Sequence, residues 1–219
     1  MRRIITLDGP GGVGKGTVAK AIASKYGFQY LDSGAIYRLC ALHLQESLLF
    51  DADEELQVQE IANMDFYFED ERVFARGEEV PEEKIRSEFT AQAASQIAAK
   101  PEIRAALLEW QRNYAGQNDL IADGRDMGTV VFPDAQLKIF LDADAKVRAE
   151  RRYHQLLKQG GTVSLSALER EIAERDERDR NRPTAPLRAA EDAVVIDTTA
   201  LSVREVLARV EELVQARFF

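Results

Sequence analysis

The chain has 219 residues, 45% of them hydrophobic, which is typical of one globular domain with a sizeable core. Its net charge of -9 argues against a surface built for nucleic acid polymers, which needs an excess of lysine and arginine. The single cysteine, Cys40, excludes an internal disulfide and is expected in the core. No apolar stretch has the length of a signal peptide or a membrane span, so we expect a cytoplasmic protein without a membrane partner.

Short, nearly continuous apolar runs alternate with helical patterns along the chain. Such runs are typical of parallel strands buried on both faces, and they occupy residues 3–7, 28–31, 119–122, 137–141 and 194–197. Helical spacing of apolar residues is found at 15–26, 34–46, 102–113, 145–158, 166–179 and 202–216. This alternation predicts an α/β fold on a parallel sheet.

The turn after the first strand holds the most specific motif. It consists of Gly9, Pro10, Gly11, Gly12, Val13, Gly14, Lys15, Gly16 and Thr17. Glycines let the backbone wrap closely around a polyphosphate, with N–H groups pointing inward. Lys15 is placed to reach the β and γ oxygens of a nucleotide. The order strand, loop, helix favours a nucleotide phosphate loop over an ordinary Gly-rich turn.

The hydroxyl that usually follows the lysine directly comes one residue later, at Thr17, to which we assign a magnesium ion. This ending, GKGT, resembles the small-molecule and nucleoside monophosphate kinases.

Polar residues also follow the second and third predicted strands, where ligands of open parallel sheets bind, so we expect them to converge with the phosphate loop on one cleft. Ser33 begins a helix and Arg38 follows about one turn later, so both can reach one anion. A helix cap at Ser33 and a surface ion pair at Arg38 are the alternatives. Arg125 suits a phosphate and Asp126 can accept from an amine or hydroxyl, although the two can also form a local salt bridge.

The segment from 64 to 99 breaks the alternation. Apolar residues at 66–68 and 73–74 flank the turn Asp70-Glu71 as in a hairpin, and a helical pattern runs from Ile85 to Ala99. We predict an inserted α+β lobe at about 61–99, while a connection without function fits the periodicity equally well.

A charged run, RDERDRNR, occupies residues 175–182. Arg175, Arg178 and Arg182 fall on one side of a helix, where they repel each other unless an anion lies among them. We predict a lid at about 159–182 that closes over the transferring phosphates.

Ordinary ion pairs explain part of the same run. Arg175 with Asp179, and Asp176 with Arg180, have the i,i+4 spacing of a solvated helix face. A flexible segment at 159–162 precedes the helix.

Taken together, these segments resemble the bacterial cytidylate kinases across almost the whole chain. The matching stretches are GPGGVGKGT at 9–17, LDSGAIYR at 31–38, AASQIAA at 93–99, IADGRDMGTVVFPDA at 121–135, KIFLDA at 138–143 and RDERDRNR at 175–182. The resemblance implies the three-layer P-loop fold of nucleoside monophosphate kinases, with five parallel strands in the order 2-3-1-4-5. Its core would comprise 1–60, 100–158 and 183–219, with an inserted monophosphate-binding lobe and a short lid.

The resemblance also implies an activity: transfer of a phosphoryl group from ATP to CMP and dCMP, with Mg²⁺ and with UMP a poorer acceptor. The residues matching cytosine recognition are Ser95, Arg104 and Asp126. Those near the acceptor phosphate are Ser33, Arg38, Arg125 and Arg182. Those reading the ribose hydroxyls are Arg175 and Asp179, and Arg178 is an additional lid arginine. Lys15, Arg175, Arg178 and Arg182 form the expected catalytic set.

Two other functions remain open at this point. The chain can be a kinase of another nucleoside monophosphate or small metabolite, or a nucleotide-binding regulator without turnover. We expect a monomer, because the apolar stripes are accounted for by the sheet.

Overall fold

A computed structural model describes residues 2–69, 72–158 and 163–219. Two compact units divide the chain: a core unit, which runs to Asp32 and resumes at Arg112–Phe219, and a second unit, Ser33–Gln111. The predicted hairpin turn Asp70-Glu71 and the predicted flexible segment at 159–162 lie outside the described residues.

The helices and strands alternate as the sequence predicts. In chain order they are β1 (Ile4–Asp8), α1 (Lys15–Tyr26), β2 (Gln29–Asp32), α2 (Ser33–Glu46), α3 (Glu54–Ala62), β3 (Phe66–Glu69), β4 (Arg72–Ala75), β5 (Glu78–Val80), α4 (Glu82–Arg86), α5 (Glu88–Ile97), α6 (Pro101–Asn113), β6 (Leu120–Gly124), a π-helical turn (Met127–Val131), β7 (Leu137–Asp142), α7 (Ala145–Lys158), α8 (Leu165–Asn181), β8 (Val194–Asp197) and α9 (Val203–Phe218).

The core unit is built on one parallel sheet with the strand order β2-β6-β1-β7-β8. When only these five strands are numbered along the chain, the order is 2-3-1-4-5, the one that the resemblance implies. β1 is central, and its Ile5 and Leu7 are fully buried. Helices α1 and α9 pack against each other and against the sheet, and they contribute Ile22 and Val210 to the same core. The phosphate loop is therefore anchored to the most buried strand.

The second unit consists of helices and a small antiparallel sheet in the order β3-β4-β5. α2 packs along α5, and Cys40 of α2 is fully buried, as predicted. Leu39, Val73 and Ile85 form a separate apolar cluster between the helices and the small sheet. This unit begins earlier and ends later than the insert predicted at 61–99.

The predicted helix from Ile85 to Ala99 is wrong in its continuity. α4 ends at Arg86, and Ser87 adopts an extended backbone conformation (φ -62, ψ 151) that separates it from α5. The Ser87 hydroxyl accepts from the Thr90 N–H at 3.1 Å and caps the second helix. The π-helical turn, α3 and β5 are also additions to the predicted elements. Within the described ranges, no helix is long and apolar enough to cross a membrane.

Candidate active site

The phosphate loop between β1 and α1 has a backbone that only glycine adopts comfortably. Gly9, Gly12 and Gly14 have φ angles of +146°, +83° and +91°. A Cβ on Gly9 would lie 2.0 Å from the backbone oxygen of Leu141 at the end of β7. The glycines therefore permit both the sharp turn and a close approach to the neighbouring strand.

Lys15, the first residue of α1, is buried beneath this loop. Its Nζ donates to the backbone oxygens of Gly9 and Pro10, both at 2.9 Å. Burial, together with the positive charges of Arg125 and Arg175, lowers the pKa of Lys15 to about 7, although the negative charges of Asp123 and Asp8 act in the opposite direction. The positive charges of Lys15, Arg125 and Arg175 repel one another, and a bound anion would offset this repulsion.

Two arginines lie over the loop. A Cβ built on Gly11 would be 3.6 Å from Nη2 of Arg125 and 3.7 Å from Nη1 of Arg175. Arg125 follows β6 and Arg175 lies on α8, so two distant segments place their guanidinium groups at the same glycine. Guanidinium groups bind phosphate oxygens with a planar pair of donors, which makes this arrangement suited to a polyphosphate.

Asp179 of α8 holds both of these arginines. Its carboxylate accepts from Nε of Arg125 at 2.8 Å and lies 3.9 Å from Nε of Arg175. Burial would raise the pKa of Asp179, but Arg125, Arg175 and Arg182 outweigh it and lower the pKa to about 2. Asp179 is therefore a permanently charged anchor for the arginines, and the weak i,i+4 pair with Arg175 is one part of that network.

Arg182 and Asp126 form a buried pair. Nη2 of Arg182 lies 3.5 Å from the Asp126 carboxylate, and each side chain is only 3% exposed. Nε of Arg182 also donates to the backbone oxygen of Ala185 at 2.6 Å. Arg178 is half-buried on α8, but Arg182 directly follows the end of that helix in an extended conformation, so the prediction that it lies on the helix with Arg175 and Arg178 was wrong. The structure thus joins two predicted residues that lie 56 positions apart in the chain.

The second unit carries the other predicted residues. Ser33 begins α2 and is buried, and Arg38 is half-buried one turn later on the same helix. Ser95 is buried on α5, which packs along α2. Arg104 of α6 is buried, donates to the backbone oxygen of Ala98 at 3.2 Å and has its guanidinium carbon 5.6 Å from the centre of the Tyr37 ring.

The comparison with protein families is decisive. A family model described as cytidylate kinase matches residues 5–216. The chain belongs to the cytidylate kinase family.

Three relatives that carry the name cytidylate kinase match nearly end to end. The protein of Dichelobacter nodosus (strain VCS1703A) is 58% identical, and the match covers 100% of this chain and 99% of the relative. The protein of Aeromonas salmonicida (strain A449) is 52% identical over 96% and 93% of the two chains. That of Vibrio cholerae serotype O1 (strain ATCC 39315 / El Tor Inaba N16961) is 50% identical over 98% and 96%.

Asp8 has a structural role in the site of this cytidylate kinase family member that sequence reasoning did not assign. Its buried carboxylate accepts from the N–H groups of Met127 and Gly128 at 2.8 and 2.7 Å, and so ties the Gly-Arg-Asp segment to the central strand. Burial raises the pKa of Asp8 to about 7, although the two hydrogen bonds act to lower it. A Cβ on Gly128 would lie only 2.8 Å from Oγ1 of Thr6, so a larger residue at this position would clash with β1. The signal was available, because Asp8 ends β1 directly before the loop.

Asp123 is a second such residue, at the end of β6. It accepts from the Tyr30 hydroxyl at 2.7 Å, and its Oδ2 would be 3.5 Å from a Cβ on Gly16. The rule that ligands bind beyond strand ends points to the segment that begins at Asp123, but sequence reasoning assigned roles only to the two residues after Gly124.

The ion pairs of α8 differ from the alternative considered for its charged run. Asp176 pairs with Arg148 of α7, and Arg180 lies 3.6 Å from Asp142 of β7, so the i,i+4 pairing of Asp176 with Arg180 was wrong. Asp176 therefore connects α8 to α7 in a buried pair, whereas Arg180 stays exposed to solvent beside Asp142.

Proposed function

We propose that this chain transfers a phosphoryl group from ATP to CMP and dCMP, giving CDP and dCDP. The observation that supports this most strongly is the glycine loop with Lys15 beneath it and Arg125 and Arg175 over it, in a member of the cytidylate kinase family. Phosphoryl transfer places charge on the equatorial oxygens of a loose transition state, so an enzyme needs mainly positioning and positive charge.

In this proposal the triphosphate lies against the loop N–H groups. Lys15, which donates to the Gly9 and Pro10 oxygens, exchanges these acceptors for phosphate oxygens and becomes fully protonated as the anion offsets the nearby arginines. Arg175 and Arg178 of α8 face the transferred group, and Arg182 the acceptor phosphate. Exclusion of water by α8 keeps the acceptor nucleotide as the only nucleophile.

The residues near the start of α1 fit a magnesium ion. The Thr17 side chain is exposed on the first turn, and the Asp123 carboxylate lies beside the neighbouring Gly16. Both offer oxygen ligands, which this ion prefers, and the open position leaves room for the waters that it retains. When bound, Mg²⁺ would neutralise charge on the β and γ oxygens.

Recognition of the acceptor base is assigned to Ser95, Arg104 and Asp126, as the family resemblance implies. All three are buried polar residues. Cytosine offers an amine donor that uracil lacks, and a buried carboxylate without that donor is penalised, so CMP is preferred over UMP. Ser33 and Arg38 are assigned to the acceptor phosphate, and Asp179 with Arg175 to the ribose. A cytoplasmic location and a monomeric state remain predictions.

A panel of acceptors tests the proposal. The purified chain is assayed with ATP and Mg²⁺ against CMP, dCMP, UMP, AMP and GMP in a coupled assay for ADP. CMP and dCMP should give the highest kcat/KM, with UMP lower. Faster turnover of AMP or GMP than of CMP would establish the other monophosphate kinase function. ATP binding without turnover of any acceptor would favour the regulator.

A further inference from the structure

Arg148 of α7 lies outside every motif of the sequence, yet its guanidinium connects three segments of the core unit. It is only 2% exposed. Nε donates to the backbone oxygen of Ala143 at 3.0 Å, and Nη1 donates to the backbone oxygen of Gly11 at 3.1 Å. Nη1 and Nη2 also donate to the two carboxylate oxygens of Asp176 on α8, the first at 3.1 Å. One side chain therefore holds the loop after β7, the phosphate loop and α8.

The contact with the phosphate loop constrains its donors. In a planar trans peptide, C=O and N–H point in opposite directions, so fixing the Gly11 oxygen toward Arg148 turns the Gly12 N–H away from α7. A Cβ on Gly12 would meet Cβ of Arg148 at 3.2 Å, which shows how closely α7 packs against this peptide. Arg148 thus sets the orientation of a peptide in the loop.

The contact with Asp176 constrains α8. Asp176 is adjacent in sequence to Arg175, whose Nη1 would be 3.7 Å from a Cβ on Gly11. Side chains of the pair are 3% and 14% exposed, so solvent screens their attraction little. The bidentate geometry fixes direction as well as distance, which a single hydrogen bond would not.

We propose that Arg148 and Asp176 are a positioning pair that couples α8 to the phosphate loop and so holds Arg175 over Gly11 for phosphoryl transfer. The inference rests on the proposed function, and neither residue needs to touch a substrate. The pair acts through Arg175 and through the Gly11 peptide.

The main variant is Asp176→Asn, which keeps the side-chain size and removes the charge. We expect kcat to fall about tenfold or more, because small misplacements of catalytic groups are costly, while the KM for CMP changes little. Arg148→Lys should behave alike, because an ammonium group cannot hold three partners in a plane. Glu177→Gln is the matched control: it removes the same charge from an exposed neighbouring position of α8 and should leave kcat unchanged.

A variant cycle separates positioning from stability. In an Arg175→Ala background, Asp176→Asn should lower kcat by a clearly smaller factor than in the wild-type protein, because only the effect through the Gly11 peptide then remains. Equal losses in both backgrounds would overturn the inference. Thermal unfolding of each variant is measured alongside, and R148K provides the same comparison if D176N folds poorly.

Hydrogen exchange gives a readout that does not depend on activity. In the nucleotide-free protein, D176N should speed amide exchange at residues 11–12 and along α8, but not in α9. Unchanged exchange at both places would overturn the pair even in an active enzyme. An inactive wild-type chain with the expected exchange pattern would instead refute the proposed function and retain the pair.

Discussion

The core unit and the second unit hold their predicted site residues by different means. Around the phosphate loop, the core unit combines arginines with carboxylates: Arg125 with Asp179, Arg148 with Asp176, and Arg182 with Asp126. In the second unit, Ser33, Arg38 and Ser95 lie on two helices, α2 and α5, that pack through small and apolar residues. Ion pairs between distant segments therefore contribute to the geometry of the core unit, and packing of α2 along α5 contributes to that of the second unit.

The largest effect is expected for Arg182→Ala, which removes a charge from the core unit. We expect kcat to fall about a hundred- to a thousandfold, the usual cost of losing one donor to transition-state charge, with ATP affinity nearly unchanged. Steady-state kinetics and calorimetry of ATP binding measure the two quantities. Because Asp126 loses its buried partner, Arg182→Lys is tested in parallel and should retain the fold with part of the loss.

Arg38→Ala is the matched variant in the second unit. It should act mainly on the KM for CMP, because Arg38 is assigned only to binding of the acceptor phosphate, whereas Arg182 also belongs to the expected catalytic set. A loss of kcat equal to that of Arg182→Ala, at unchanged KM, would remove the proposed difference between the units.

The phosphate loop was predictable because its signal is local. The glycines and Lys15 are consecutive, and each position has a conformation or a chemistry that few other residues supply. The five strands were predictable for a similar reason, since runs buried on both faces are nearly continuously apolar. In the second unit, one predicted helix is divided in two at Ser87. The apolar periodicity continues through this position, but the Ser87 side chain caps the start of α5 and so interrupts the helix.

The ion pairs were not predictable in this way. Arg148 and Asp176 are 28 positions apart, and Asp126 and Arg182 are 56 apart, so their partners follow only from how the helices pack on the sheet. From the sequence alone, Asp176 had an equally suitable partner in Arg180. Spacing identifies which charges can pair along one helix, but it does not rank them against charges on other elements.

The next prediction concerns backbone strain at two glycines, one in the phosphate loop and one in a turn of the second unit. Gly9→Ala should lower the free energy of unfolding by about 3 kcal/mol or more, because the new Cβ would meet the Leu141 backbone oxygen at 2.0 Å. Gly77→Ala, with φ at +78° and no atom within 4 Å, should cost only about 1 kcal/mol. Urea unfolding of both variants measures the difference. Equal losses would show that the strand contact at Gly9 contributes nothing beyond the backbone angle.

The smallest expected effect is a proton taken up when ATP binds to the core unit. Burial, with help from Arg125 and Arg175, lowers the pKa of Lys15 to about 7, so the nucleotide-free protein carries mostly neutral Lys15 at about pH 8. A triphosphate raises that pKa toward its ordinary value, and binding should therefore take up close to one proton at about pH 8 and almost none at about pH 5.5. Calorimetry in two buffers of different ionisation enthalpy measures this number.

Asp8, with a pKa raised to about 7 by burial, is the competing source of such a proton. An approaching anion raises its pKa as well, so its contribution has the same sign as that of Lys15 and needs a separate control. Lys15→Arg supplies it, because arginine stays charged at every pH used and leaves Asp8 in place. Uptake that persists in this variant would assign the proton to Asp8, and no uptake in the wild type would mean that Lys15 is already charged before ATP arrives.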